Sequence, residues 1–174
     1  MGRNTLGRRA FVTFAAALSV GVLGTASTAQ AEPMAFGTHT WSGDVYDGRG
    51  GGLAGSASTA EGHEFDVSAT LDHRSVEVTI FQSADEMWNL QFVAPKGQVL
   101  AEGRYEGAVY PHLGTPEQPG LDVSTPWGSS SDVTGSFVIT DLTFGDGQKV
   151  ESFAVSYVQH REGFEPLTGA IEID

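Results

Sequence analysis

The chain reads as an all-β domain behind an export signal. Past residue 32, nearly every regular stretch alternates apolar and polar residues with period 2. Helical periodicity is nearly absent, and Gly/Pro clusters break the stretches at short intervals. This pattern predicts about eight or nine strands, in two antiparallel sheets packed face to face as a β-sandwich. The alternative is a closed up-and-down β-barrel. No stretch resembles a crossover helix, so parallel βαβ units are not expected.

The elements follow in order. Residues 36–46, Phe36 to Tyr46, read as a first strand. The Gly-rich stretch from Gly48 to Gly55 reads as a loop, because Gly loses the most entropy on ordering. Glu64 to Leu71 and Val76 to Gln82 form a hairpin through Asp72-His73-Arg74, with Val76, Val78 and Ile80 sharing one face. Met87 to Val93 turns Trp88, Leu90 and Phe92 inward and Asn89 and Gln91 outward. Pro95-Lys96-Gly97-Gln98 is a turn, and Gly103 to Tyr110 is the next strand. From Pro111 to Asp132 the chain reads as a long irregular segment with Pro111, Pro116, Pro119 and Pro126; only Leu121-Asp122-Val123 has the makings of a short pairing. Gly135 to Phe144 and Lys149 to Val158 are joined by Gly145-Asp146-Gly147-Gln148, a strong hairpin signal. Leu167 to Ile173 closes the chain, with Leu167, Gly169, Ile171 and Ile173 on one face.

Residues 1–31 read as a cleaved export signal. Arg8-Arg9 precede a short apolar run ending at Gly24, and Ala29-Gln30-Ala31 supplies an A-x-A cleavage site before Glu32. Paired arginines point to the twin-arginine route, with the general secretory route as the alternative. The run falls short of the roughly 20 mostly apolar residues of a membrane span. The expectation is a secreted protein with no stable membrane insertion after cleavage.

Residues 32–174 read as one domain, with Arg49, Arg74, Lys96, Arg104, Lys149 and Arg161 against all 22 Asp and Glu, a formal charge of −16. Such a surface repels nucleic acid, so no nucleic-acid partner is expected. The chain has no Cys, which excludes disulfides, thiol catalysis and thiolate metal sites.

No motif identifies a reaction. A G-x-S-x-G elbow and an HExxH pair are both missing, and Gly50-Gly51-Gly52 lacks the Lys-Ser/Thr of a phosphate loop. Asp44 to Gly48 and Asp141 to Gly147 place Asp and Gly near turns without the D-x-D-x-D-G spacing of a calcium loop. No cofactor and no metal are expected. The candidate binding residues are aromatic: Trp127, Tyr110 and His112 in the long irregular segment, and Trp41 in a polar strand. A long segment without structure of its own is often functional. The leading expectation is a non-catalytic module binding a polysaccharide or a cell-surface component. The alternatives are a small secreted hydrolase using carboxylates and a structural extracellular protein without a small ligand.

Several segments together resemble a family of bacterial exported all-β domains of unknown function: Trp88 to Gln98, Gly103 to Ala108, Pro119 to Ser124, Thr134 to Phe137 and Phe153 to His160. The resemblance spans roughly residues 78–173. In that family one Cys precedes the Thr-Gly-Ser-Phe strand and another follows the Gln-His pair. Ser130 and Arg161 stand near those positions here, so the resemblance implies a lost disulfide. It implies a fold and no activity.

Overall fold

The structure is a computed structural model that describes residues 36–43, 54–83, 86–125 and 131–174. All of these fall within one compact unit, Glu32–Asp174. The expected export signal lies outside the described residues.

Ten strands are present: β1 (Gly37–Ser42), β2 (Gly55–Ser58), β3 (Glu64–Ala69), β4 (Ser75–Ser83), β5 (Glu86–Val93), β6 (Gly103–Val109), β7 (Gly120–Ser124), β8 (Val133–Phe144), β9 (Val150–Arg161) and β10 (Leu167–Ile173). The only helical element among the described residues is a 3-10 turn, Thr59–Glu61. The all-β expectation holds. The sandwich does not: all ten strands belong to one sheet, ordered β2-β1-β10-β9-β8-β6-β7-β5-β4-β3, which curls until it nearly closes as a barrel. Nor is it an up-and-down meander, since β7 stands between β5 and β6 and meets β6 in parallel. Alternation fixes which face of a strand is apolar, but one curled sheet and two stacked sheets satisfy it equally. Strand order decides between them, and order is set by distant pairings.

The inward faces are those expected. Val76, Val78, Ile80, Leu90 and Phe92 are wholly buried, and Trp88 nearly so. Phe92 sits at the centre, edge-on to Phe137 and Phe153 at 5.4 and 5.5 Å. Such pairs contribute about 0.5–1.5 kcal/mol beyond the area they bury.

Two elements differ from the expectation. Strand β2 is Gly-Ser-Ala-Ser, with only Ala57 in the core. It carries no alternation to read and forms because β1 presents Thr38–Trp41 as a template. Strand β7 is an interior strand, paired along its length with β5.

Two seams interrupt the sheet. At the first, β6 and β7 share only the pair Val109 and Gly120. Beyond it, the Gln159 side chain of β9 does the pairing: its Oε1 accepts from the Val123 N–H (2.8 Å) and its Nε2 donates to the Val123 carbonyl (2.9 Å). Gly135, opposite Gln159 in the register, leaves room for this. A Cβ there would overlap the Val158 carbonyl and crowd Leu121. The second seam lies between the edge strands β2 and β3. Thr59 Oγ1 accepts from the Gly37 N–H, His63 Nδ1 accepts from the Ser58 N–H, and Phe65 lies against Gly37.

Candidate functional site

The outward residues of β1, β10, β9, β8 and β6 form a shallow trough of about 510 Å³. The ladder register lines them up in two rows. Thr40, Ala170, Ser156, Val138 and Arg104 stand side by side across the five strands. Ser42, Thr168, Val158, Ser136 and Glu106 form the next row. At strand spacing near 4.8 Å, each row is roughly 19 Å long. A second depression of about 440 Å³ extends the floor through the shared Thr40, Ser156 and Ala170.

The floor of the 510 Å³ trough is rich in hydroxyls, and one acid, Glu172, lines the adjoining depression. The two rows end on Arg104 and Glu106, which pair with each other at 2.6 Å and cancel in charge. Two hydroxyls of the floor serve the sheet itself: Thr168 donates to the Ser42 carbonyl and Thr140 to the Ala154 carbonyl. Those of Thr40, Ser136 and Ser156 make no hydrogen bond among the described residues. A hydroxyl donates one hydrogen bond and accepts up to two, so the floor matches a polyhydroxylated partner.

Behind the floor, the alternate residues of the same strands pack inward. His39 is fully buried, and its ring stacks on Trp41 at 5.0 Å and meets Trp88 edge-on at 5.0 Å. Its Nε2 lies 2.9 Å from the Tyr157 hydroxyl, and its Nδ1 is buried without a partner. Nε2 and the hydroxyl share one hydrogen bond whose direction is set by the imidazole tautomer, and either tautomer leaves one donor unpaired. Burial pushes the imidazole down to about 3 and the Tyr157 phenol well above its usual range. Neither group exchanges a proton near neutral pH, so this cluster is a stiff backing for the trough and not an acid–base pair. Small residues make room for it: a Cβ at Gly169 would overlap the Tyr157 hydroxyl, and one at Gly55 the Trp41 ring.

Of the expected binding residues, Trp41 lines the trough, with His39 and Trp88 as its ring partners. Tyr110 and His112 come together at 5.7 Å, edge to face. They follow β6, which stands four strands from β1 in the sheet order. Trp127 lies outside the described residues, as do Ser130 and the Asp44–Gly48 stretch. Near His112 sits Asp122 of β7, whose Oδ1 is buried without a partner. Burial raises the Asp122 carboxyl above its usual range, against the hydrogen bond from Ser124 and the charges of Arg161 and His112. Among the described residues no group of three or more His, Asp or Glu is placed to hold a metal ion.

No protein-family model matches this chain, and no curated protein or solved structure matches it either.

Sequence reasoning missed the trough. Thr40, Ser136 and Ser156 each look like an ordinary solvent-facing strand residue. Only the pairing of β1 with β10, and of β6 with β8, brings them into one floor.

Proposed function

We propose that the protein is an exported, non-catalytic binding module that takes a carbohydrate chain along the trough. One observation carries this reading: a trough of about 510 Å³ whose lining includes the hydroxyls of Thr40, Ser136 and Ser156 and whose one charged lining residue, Arg104, is ion-paired with Glu106, on a domain that is otherwise strongly acidic. A charged partner would require fixed counter-charges, and the Arg104–Glu106 pair offers no net charge. A floor roughly 19 Å wide suits an extended chain better than a compact metabolite. Arg8-Arg9, the short apolar run and Ala29-Gln30-Ala31 support export, and the resemblance to exported bacterial domains supplies no activity.

The test is a binding screen of residues 32–174 against neutral linear polysaccharides, repeated with Ser156→Tyr. Ser156 is exposed at the middle of the floor, so the larger side chain fills the trough without disturbing the core. We expect wild-type binding and at least about a tenfold loss in the variant, the weight of one or two hydrogen bonds displaced. Trp127→Ala is the second arm, and binding that survives it confines recognition to the trough. Absence of wild-type binding to any glycan would overturn the reading in favour of a structural protein.

A further inference from the structure

The cations are unevenly placed. Residues 32–174 hold six against 22 acids, yet Arg74 and Lys96 line one cleft of about 200 Å³, and no acid lines it. The cleft lies where the β3–β4 turn, the turn after β5 and the 111–119 segment meet. It is separate from the trough, and nothing in its assignment depends on the carbohydrate reading.

Arg74 is held in place from three sides. Its backbone N–H donates to Thr70 Oγ1 (3.1 Å) and Asp72 Oδ1 (3.2 Å), and its Nε donates to the Ala94 carbonyl (3.0 Å). The terminal nitrogens Nη1 and Nη2 have no hydrogen-bond partner among the described residues. Asp72, the acid beside Arg74, accepts from the Arg74 N–H and from Thr70 and feels the Arg74 charge, but is not part of the lining. Across the cleft, the Lys96 backbone N–H donates to the Pro116 carbonyl at 2.7 Å. The Lys96 side chain is exposed and makes no ion pair among the described residues. Pro111, Pro116 and Pro119 build the facing wall. Their fixed φ angles shape that wall in advance, so little order has to be created on binding.

A fixed guanidinium edge, a mobile ammonium and a rigid acid-free wall suit one chemistry. We propose that this cleft binds a small oxyanion, the carboxylate or phosphoryl group of a ligand, with Arg74 as a two-pronged donor and Lys96 as a point charge. The surrounding negative surface works against casual anion binding, so the site discriminates by local geometry rather than by overall attraction.

The experiment titrates the purified chain with sodium phosphate and, separately, with sodium glucuronate at low ionic strength. Amide chemical shifts are the readout, with sodium chloride at matched ionic strength as the control. We expect saturable shifts confined to residues 74–75, 96–98 and 113–118 for one or both anions. Response to phosphate alone assigns the cleft to a phosphoryl group; response to glucuronate alone assigns it to a carboxylate. Arg74→Gln and Lys96→Gln should each weaken binding at least about tenfold, and Arg104→Gln should leave it unchanged. Lys96→Gln keeps the test valid if Arg74→Gln unfolds, because the Lys96 side chain supports nothing. No saturation with either anion, equal shifts in chloride, or undiminished binding by Lys96→Gln would overturn the proposal.

Discussion

Strands β8 and β9 pair backbone to backbone from Val133 opposite Arg161 to Phe144 opposite Val150, with register shifts at Ile139/Asp141 and Thr143/Phe144. Strands β6 and β7 meet only at Val109 and Gly120. One region is a long backbone ladder closed by a tight turn. The other is a break in the sheet, and there a single carboxamide replaces a strand. Gln159 offers one acceptor and one donor at the spacing of a peptide group, so Val123 finds the partners that β6 fails to supply. The lesson is that ladder positions tolerate change and seam positions do not, even on the same strand.

The sharpest break of that contrast is Gln159→Leu. It keeps the bulk, excludes water and leaves the Val123 N–H and carbonyl unpaired in a buried place, which should cost about 3 kcal/mol in urea unfolding. Ser156→Ala, also on β9 but exposed in the ladder, should cost less than about 0.5 kcal/mol. Equal losses for the two would refute the contrast. Next is Gly135→Ala. Its methyl has no space between the Val158 carbonyl and Leu121, and such overpacking should cost about 2–3 kcal/mol. Hydrogen exchange should then quicken in β7 before it does in β9.

The third prediction concerns the other side of the barrel, where His39 of β1 lies close to the β2/β3 seam. In the unfolded chain His39 titrates near 6.5; burial holds it at about 3 in the fold. Below pH 6.5 the unfolded chain therefore takes up a proton that the folded chain refuses. The stability contributed by the neutral ring is complete above pH 6.5 and is lost as pH falls toward 3, by about 2 kcal/mol at pH 5. His39→Phe should remove that part of the slope. Urea midpoints at pH 7 and pH 5, wild type against variant, measure it; parallel slopes would count against a buried neutral His39.

Local chemistry wrote the hairpins plainly into the sequence. Asp72-His73-Arg74 turns β3 into β4, with Thr70 Oγ1 accepting from the Arg74 and Ser75 N–H groups. Gly147, at φ +68°, does the same between β8 and β9. The inward sets of β4, β5 and β10 followed from period 2 alone. What stayed hidden depends on partners far along the chain. Strand β2 has almost no apolar content to announce it, and β7 owes its length to β5 and Gln159. The trough and the Arg74–Lys96 cleft were hidden for the same reason. Each residue is ordinary by itself, and only register or loop packing gives it neighbours.

The pairing of β1 with β10, Gly37 opposite Ile173, joins the first strand to the last. Closing so large a loop adds little in free energy, since each doubling of length costs only about 0.6 kcal/mol, but it slows folding. It also sets an order in time. During synthesis β1 has to wait for β10 to leave the ribosome, and without β10 the strands β1 and β2 have no ladder partner but each other. The expected export signal is attached directly before β1. If the twin-arginine route, which carries folded cargo, is used, the docking of that strand on β10 has to precede export.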